Sequence, residues 1–169
     1  MNQLPKYRIN WQQRYADAHY AFYEQHHPII VADGFYCGPK MPSVVTSNGL
    51  TAAIVNYCTW TGQYANRINT VGRVIKQGKD TQTVFGTIKA KTVMIKGSTK
   101  RGTPDLDTLL NGYPVKLEIK VGKDRQSEVQ KEQEKIITNA GGYYYIVRTI
   151  EDFFVIYDKF INAPKMQLL

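Results

Sequence analysis

The 169-residue sequence contains only two cysteines, and this scarcity limits the ways in which the chain can be held together. Cys37 and Cys58 lie far apart and form neither a Cys-x-x-Cys pair nor a zinc-binding pattern. They provide no disulfide framework, and a reduced, cytoplasmic location fits best. The fold must therefore rest on a hydrophobic core, and a chain of this length, typical of one domain, is long enough to bury one.

Long apolar runs are also absent. The apolar stretches are short and interrupted, so no segment is expected to span a membrane. Residues 1–10 include Lys6 and Arg8, but no apolar run follows them, so no secretory signal is expected. With 43% hydrophobic and 21% charged residues, the composition is typical of a globular domain and not of a disordered chain.

Acidic residues are scarce in one part of the chain, and the whole positive excess lies there. The net charge is +8, and residues 64–103 contain nine Lys or Arg against a single acid, Asp80. A local positive field of this kind attracts polyanions, and phosphate contacts drive most non-specific binding of nucleic acid. Charge alone leaves three interpretations open: nucleic acid, an acidic protein, or a plain solvated surface.

The remaining pattern predicts an α/β fold with helices on either side of a central sheet. Helical spacing of apolar residues indicates helices at about residues 10–25, 47–61, 128–140 and 150–161. Strand-like runs occupy residues 64–69, 81–87, 92–96, 106–110, 115–121 and 143–148, and Asn111–Gly112 is a strong hairpin signal. Residues 28–46, rich in Pro and Gly, predict a loop or short extended pieces, and Cys58 is expected in the core.

The strongest indication of chemistry is the segment GTPDLDTLLNGYPVKLEIK, residues 102–120. Strand alternation places Glu118 and Lys120 on one polar face, with their Cβ atoms roughly 7 Å apart. The predicted hairpin brings Asp105 to the level of Glu118. Two carboxylates at one point repel each other, and a hard divalent cation such as Mg²⁺ relieves that repulsion. A lysine beside such a metal suits the hydrolysis of a phosphodiester.

Each of these residues also has a plainer interpretation. A Glu-x-Lys triplet is common in strands, and an exposed Glu–Lys pair contributes only about 0–1 kcal/mol. Asp107 shares the strand face of Asp105 and is the alternative carboxylate, although Pro104 favours Asp105. Gln130 follows Ser127 by three positions, which is the spacing of a capping box at a helix start.

Taken together and in this order, the motifs resemble the PD-(D/E)xK nuclease superfamily and, within it, the virus-type replication-repair nuclease (VRR-NUC) domain. The similarity covers roughly residues 48–153, about two thirds of the chain. The first motif is a helix that ends in glycine, followed by an Arg-x-Asn strand and a second glycine (Gly62, Arg67, Asn69, Gly72). The second is Gly-x-Pro-Asp (Gly102, Pro104, Asp105), and the third is Glu-x-Lys (Glu118, Lys120). Ser-x-x-Gln (Ser127, Gln130) follows, and the last motif is Ala-Gly before a β run and an acidic helix start (Ala140, Gly141, Glu151, Asp152).

The resemblance implies a restriction-endonuclease-like αβββαβ core in residues 46–169, after an N-terminal helical extension, residues 1–45, of unknown role. It implies Mg²⁺ or Mn²⁺ bound by Asp105, Glu118 and the backbone carbonyl of Ile119. Lys120 would be the catalytic lysine, and Gln130 would point into the site. The implied activity is endonucleolytic hydrolysis of DNA, such as branched or four-way junction DNA in phage replication, recombination or repair. Such enzymes act as homodimers, with no membrane and no small-molecule cofactor beyond the metal.

The expected nucleic-acid contacts surround this motif. Arg67 and Asn69 belong to the Arg-x-Asn strand, and the other expected contacts are Lys96, Lys100, Arg101, Lys123 and Arg125. One departure from the family concerns the first core helix, where relatives often carry an acid. Residues 47–62 contain no Asp or Glu, and Asn48 lies near that position. A non-catalytic nucleic-acid-binding protein with a nuclease-like fold therefore remains the alternative.

Overall fold

A computed structural model describes residues 10–68, 73–84, 86–95 and 100–166, in which three helices are followed by seven strands and then by a helix, a strand and a last helix. The helices are α1 (Trp11–His26), α2 (Pro28–Ala32), α3 (Ser47–Trp60), α4 (Glu128–Asn139) and α5 (Ile150–Ile161). The strands are β1 (Tyr64–Arg67), β2 (Arg73–Gln77), β3 (Thr81–Thr83), β4 (Gly86–Ile88), β5 (Lys91–Ile95), β6 (Leu106–Leu110), β7 (Tyr113–Ile119) and β8 (Tyr143–Val147). The predicted α/β class is confirmed.

Local sequence signals define most element ends. The side chains of Thr46, Ser127 and Thr149 each accept a hydrogen bond from a backbone N–H in the first turn of α3, α4 and α5. Between β6 and β7, Asn111 and Gly112 have φ values of 53° and 89°, the left-handed pair that a tight hairpin turn requires. The predicted helix starts and this hairpin are therefore confirmed.

The structure differs from the prediction in three places. The region predicted as a loop contains the short helix α2, and β2 was not predicted as a strand. The single strand expected over residues 81–87 is a hairpin of β3 and β4, and Gly86 at its turn has a φ of 126°. Pairing with a neighbouring strand, which sequence periodicity does not reveal, makes β2 and β4 strands.

The central sheet has four strands in the order β1-β6-β7-β8. β6 is antiparallel to both β1 and β7, whereas β8 is parallel to β7. Since a parallel neighbour needs a crossover connection, α4 lies between β7 and β8 in the chain. Because β6 and β7 are antiparallel, the start of β6 and the end of β7 meet at the same end of the strands, where Leu106 pairs with Leu117. This end of the strands is the edge of the sheet on which the residues described below lie.

The hydrophobic core lies between one face of this sheet and the helices α3 and α5. Leu117 and Ile119 of β7 pack there with Leu50 of α3 and Phe153 of α5. α1 adds the fully buried Tyr15, and its Arg14 binds Asp158 of α5 at 2.5 and 2.8 Å. Cys58 is buried in the same core, as predicted, and burial raises the pKa of its thiol to about 12.

The strands β2 to β5 form a feature of their own, here called the ribbon, which is described over residues 73–84 and 86–95. β2 pairs with β5 and β3 pairs with β4, both antiparallel, and neither pair joins the four-stranded sheet. The ribbon is inserted in the chain between β1 and β6. Across the described residues, no helix is long and apolar enough to cross a membrane.

Candidate functional site

Asp105 lies immediately before β6, and its carboxylate reaches the end of β7. Its Oδ2 accepts a hydrogen bond from the backbone N–H of Ile119 at 2.9 Å. Its backbone oxygen accepts another from the N–H of Ile68, just after β1, at 2.8 Å. These two bonds fix Asp105 between β1 and β7 at the edge where Glu118 and Lys120 follow one another.

The backbone of Ile119 faces the same place. In an extended strand the N–H and C=O of one residue point to the same side, and the N–H of Ile119 points at Asp105. The backbone N–H of the next residue, Lys120, points to the opposite side, towards β8, where it donates to the carbonyl of Val147 at 3.0 Å. The carbonyl of Ile119 is therefore directed to the side of the strand on which Asp105 lies.

Glu118 is the most deeply buried charged side chain of the site, with 1% of its surface exposed. Its Oε1 accepts hydrogen bonds from Lys120 Nζ at 3.0 Å and from Gln130 Nε2 at 2.5 Å. Burial raises the pKa of Glu118, against the opposing effect of the Lys120 hydrogen bond, and the charge of Asp105 raises it further. A positive charge placed between the two carboxylates would therefore stabilise this arrangement.

Lys120 is also buried, and two carboxylates hold its ammonium group. Its Nζ lies 3.0 Å from Glu118 Oε1 and 3.4 Å from Asp124 Oδ2. Burial by itself lowers the pKa of Lys120, but the hydrogen bond and charge of Glu118, aided by Asp124, outweigh burial and raise the pKa. The cation is thus fixed beside Glu118 at the end of β7.

Gln130 both caps α4 and contacts the candidate site, the two roles that the sequence left open. Its Oε1 accepts from the backbone N–H of Ser127 at 2.9 Å, and its own N–H donates to Ser127 Oγ at 3.3 Å, which completes the capping box of α4. Its Nε2 at the same time donates to Glu118. The start of α4 is therefore tied directly to the candidate site.

Close packing against α4 sets the path of the loop before Asp105. Gly102 has a φ of +80°, and a Cβ at this position would lie 2.7 Å from the backbone oxygen of Val129. Only glycine combines this left-handed conformation with such a close approach. Pro104, the next motif residue, is buried. The Gly-x-Pro-Asp motif thus positions the aspartate.

Asp107, the alternative carboxylate, has a cation partner of its own. It lies opposite Lys116 in the antiparallel register of β6 and β7, and its Oδ1 is 2.5 Å from Lys116 Nζ. Both side chains are half-buried. Asp105 is the carboxylate that contacts the backbone beside Glu118, so the geometry favours it over Asp107.

The residues expected to contact nucleic acid lie in three exposed places around the site. Arg67 ends β1, Lys100 and Arg101 precede Asp105, and Lys123 and Arg125 lie in the loop after β7. Arg67 donates to Asn48 Oδ1 at 2.7 Å, so Asn48 at the start of α3 faces the end of β1. Asn69 and Lys96 lie outside the described residues.

Two side chains that the sequence analysis did not identify also reach the site. The hydroxyl of Tyr144 in β8 donates to Glu118 Oε2 at 3.4 Å, and Asp124 contacts Lys120 from the following loop. Burial raises the pKa of Tyr144, and the charge of Glu118 adds to this effect. The sequence showed the run of aromatic residues in β8 but not the pairing of β8 with β7. This pairing determines which tyrosine contacts Glu118.

The donor set fits one hard divalent cation. Within the described ranges, no group of three or more His, Cys, Asp or Glu side chains is placed to hold a metal. Asp105 and Glu118 could nevertheless offer two carboxylates, and the carbonyl of Ile119 could offer a third oxygen. Among the described residues, Lys120 and Gln130 contact Oε1 of Glu118, and Tyr144 contacts Oε2 at 3.4 Å. Such oxygen ligands, completed by water, suit Mg²⁺ or Mn²⁺.

Comparison of the chain with profiles of known protein families, with curated proteins and with solved structures found no match. The residues of the chain itself are therefore what indicates its function.

Proposed function

We propose that this protein is a metal-dependent nuclease of the PD-(D/E)xK type that hydrolyses DNA phosphodiester bonds. The observation that carries the proposal is the convergence of Asp105, Glu118 and Lys120 where β6 begins and β7 ends. The sheet itself does not need a carboxylate at this place, and burying one is unfavourable unless it is paired. A pair of carboxylates with an adjacent lysine instead suits metal-assisted hydrolysis of a phosphodiester.

The topology supports the same proposal. Without the inserted ribbon, the elements follow one another as α3, β1, β6, β7, α4 and β8, which is the αβββαβ order expected of a nuclease core. The first three strands form an antiparallel meander, and the fourth is parallel to the third. The proposed site lies on the second and third strands of this series.

Asp105, Glu118 and the carbonyl of Ile119 would hold the cation. When bound, Mg²⁺ or Mn²⁺ neutralises phosphate oxygens and lowers the pKa of a coordinated water. Lys120 donates hydrogen bonds beside Glu118, where it orients the attacking water and balances the negative charge on the phosphate. Gln130 and Tyr144 fix the carboxylate of Glu118, because both donate to it.

The substrate side of the proposal rests on charge. The five described candidates around the site, Arg67, Lys100, Arg101, Lys123 and Arg125, are all exposed and offer cations to a phosphate backbone. A branched or four-way junction DNA bound by a homodimer agrees with this arrangement, since a two-fold symmetric enzyme matches two symmetric strands.

The matched aspartates provide the sharpest test. The full chain would be incubated with labelled single-stranded, duplex, flap and four-way junction DNA in Mg²⁺, in Mn²⁺ and in EDTA. Asp105→Asn should reduce metal-dependent cleavage by at least about 100-fold, whereas Asp107→Asn, the control on the same strand, should stay within a few-fold of the parent. An Asp105→Asn protein that cuts at the parent rate would contradict the site assignment.

A second readout is independent of catalysis. Metal that binds the folded state raises the unfolding temperature, by an amount equivalent to about 2.7 kcal/mol when its concentration is 100 times the Kd. Mn²⁺ should therefore stabilise the parent and the Asp107→Asn variant, and it should not stabilise the Asp105→Asn variant. Equal stabilisation of all three proteins would show that the cation binds elsewhere.

One specific observation favours a second candidate function, a nucleic-acid-binding protein that does not cut. Asn48 lies at the start of α3, where members of the PD-(D/E)xK superfamily often carry an acid, and it accepts a hydrogen bond from Arg67. Salt-sensitive DNA binding without cleavage of any substrate in either metal would establish this alternative. Cleavage that is lost with Asp105 would exclude it.

A further inference from the structure

The ribbon is a long two-stranded element with one irregularity. Antiparallel pairing runs from Arg73 opposite Ile95 to Gln77 opposite Lys91, and it resumes with Thr81 opposite Ile88. Three residues on one strand, 78–80, therefore face two on the other, 89–90, which makes a bulge where Gly78 has a φ of 91°. At about 3.3 Å per residue, the ten steps from Arg73 to Thr83 correspond to roughly 30 Å of ribbon.

The charge of the ribbon is almost wholly positive and exposed. The side chains of Lys76, Lys79, Lys89 and Lys91 are all exposed. The one acid of the ribbon, Asp80, accepts a hydrogen bond from the backbone N–H of Ala90 at 2.8 Å and thereby closes the bulge. No salt bridge involves these four lysines among the residues that the structure describes.

Three apolar side chains of the ribbon are exposed. Val84, Ile88 and Met94 are 98%, 63% and 71% exposed. An isolated two-stranded hairpin is marginally stable at best in water, because it has no second layer against which to pack. A ribbon with exposed apolar side chains and with lysines along its length is suited to rest on another molecule of opposite charge.

We propose that the ribbon is a duplex-binding arm that lies in a groove of double-stranded nucleic acid and contacts phosphates through Lys76, Lys79, Lys89 and Lys91. The inference deepens the proposed function and rests on it for the identity of the polyanion. The major groove of B-DNA, about 12 Å wide, admits a two-stranded β-ribbon. The lysines provide the phosphate contacts that position a protein on a duplex without reading its sequence.

The position of the arm in the chain connects it to the candidate site. The arm follows Ile68, whose N–H is bonded to the backbone oxygen of Asp105. Five residue steps of at most about 3.6 Å each keep Arg73 within about 18 Å of Ile68. A duplex held in the arm is thus near the edge of the sheet that carries Asp105, Glu118 and Lys120.

The test compares two proteins with the same change in charge. In the arm variant, Lys76, Lys79, Lys89 and Lys91 are replaced by Gln. In the control variant, Lys40, Lys131, Lys135 and Lys165, all exposed and outside the arm, are replaced by Gln. Binding of a labelled 20-base-pair duplex and of single-stranded oligothymidine is measured in EDTA over a range of salt concentrations, so that cleavage plays no part.

The arm variant should bind the duplex at least about 100-fold more weakly at low salt and should show a salt dependence flatter by about 3 to 4 in log–log slope. The control variant should bind the duplex as the parent does, and oligothymidine binding should change far less in either protein. Equal duplex binding by the arm variant and the parent would overturn the inference. Equal losses in the arm and control variants would overturn it too, as they would show a general charge effect.

Two further measurements keep the inference separate from the proposed function. Replacing residues 78–90 by Asn-Gly joins Gln77 to Lys91 through a two-residue hairpin turn and removes Lys79 and Lys89. This shortened arm should bind the duplex more weakly than the parent, with little change in unfolding temperature. Competition by polyglutamate as strong as that by duplex would indicate an acidic protein and overturn the inference. Arm-dependent duplex binding in a protein that never cuts would reject the nuclease and leave the arm in place.

Discussion

Lys120 and the lysines of the ribbon carry the same charge in opposite surroundings. Lys120 is buried at the end of β7, where Glu118 and Asp124 hold its ammonium group. Lys76 and Lys89 of the ribbon are both exposed. A buried cation needs partners because desolvation is costly, and these partners fix its position. An exposed cation needs none and is free to meet a partner from outside.

The comparison separates two contributions to the proposed activity. The core holds a small number of charges at defined distances, which suits chemistry at one phosphate. The ribbon spreads its charges over a longer distance, which suits attraction and positioning of a polyanion and depends strongly on salt. We expect changes in the core to affect rate and stability, and changes in the ribbon to affect binding.

The largest effect should come from comparing Lys120→Ala with Lys116→Ala. Alternation places both lysines on the same face, Lys116 in the middle of β7 and Lys120 just after its end, and each pairs with a carboxylate, but of the two Lys120 is the one that contacts Glu118. Removal of Lys120 should lower cleavage by about 10²–10⁴-fold, and removal of Lys116 by only a few-fold. Initial rates on the best DNA substrate measure this, with thermal unfolding to show that both proteins are folded. Equal losses would mean that Lys120 has no special role.

A smaller effect, on stability, should distinguish the core from the ribbon. Phe153 of α5 is fully buried, whereas Met94 of β5 is 71% exposed. Phe153→Ala should reduce the free energy of unfolding by about 3–5 kcal/mol, because it leaves a cavity. Met94→Ala should change that free energy by no more than about 0.5 kcal/mol. Urea unfolding measures both, and a large loss for Met94→Ala would show that the ribbon packs more tightly than its exposure indicates.

The smallest effect concerns the helix caps. Ser127→Ala and Thr149→Ala each remove a capping side chain and should each cost about 1 kcal/mol in free energy of unfolding. Only Ser127→Ala also loosens Gln130, which donates to Glu118, so only this variant should slow cleavage. If both substitutions slow cleavage to the same extent, the effect belongs to stability and not to the site.

Much of the fold was predictable from the sequence. Thr46, Ser127 and Thr149 marked helix starts because a cap is formed within three residues. Asn111–Gly112 marked the hairpin because few residues adopt its backbone angles. Spacing alone did not reveal β2, because this short strand is defined by its pairing with β5, which no local pattern shows.

The candidate site was predictable in part. Asp105, Glu118 and Lys120 were identified because a hairpin turn and strand alternation relate positions that are near in the sequence. Tyr144 was missed because it reaches Glu118 only through the parallel pairing of β8 with β7. Asp124 was missed because it lies in a loop, where no periodicity indicates the direction of a side chain.

The sequence by itself determined the α/β class, the helix starts, the β6–β7 hairpin and the concentration of positive charge, since each depends on residues close together in the chain. The tertiary structure alone decided that Gln130 and Tyr144 converge on Glu118, and that the charge-rich insertion pairs with itself and stays outside the central sheet. Those outcomes depend on strand pairing and helix packing between distant segments, whose energies are shared among many contacts and leave no local pattern.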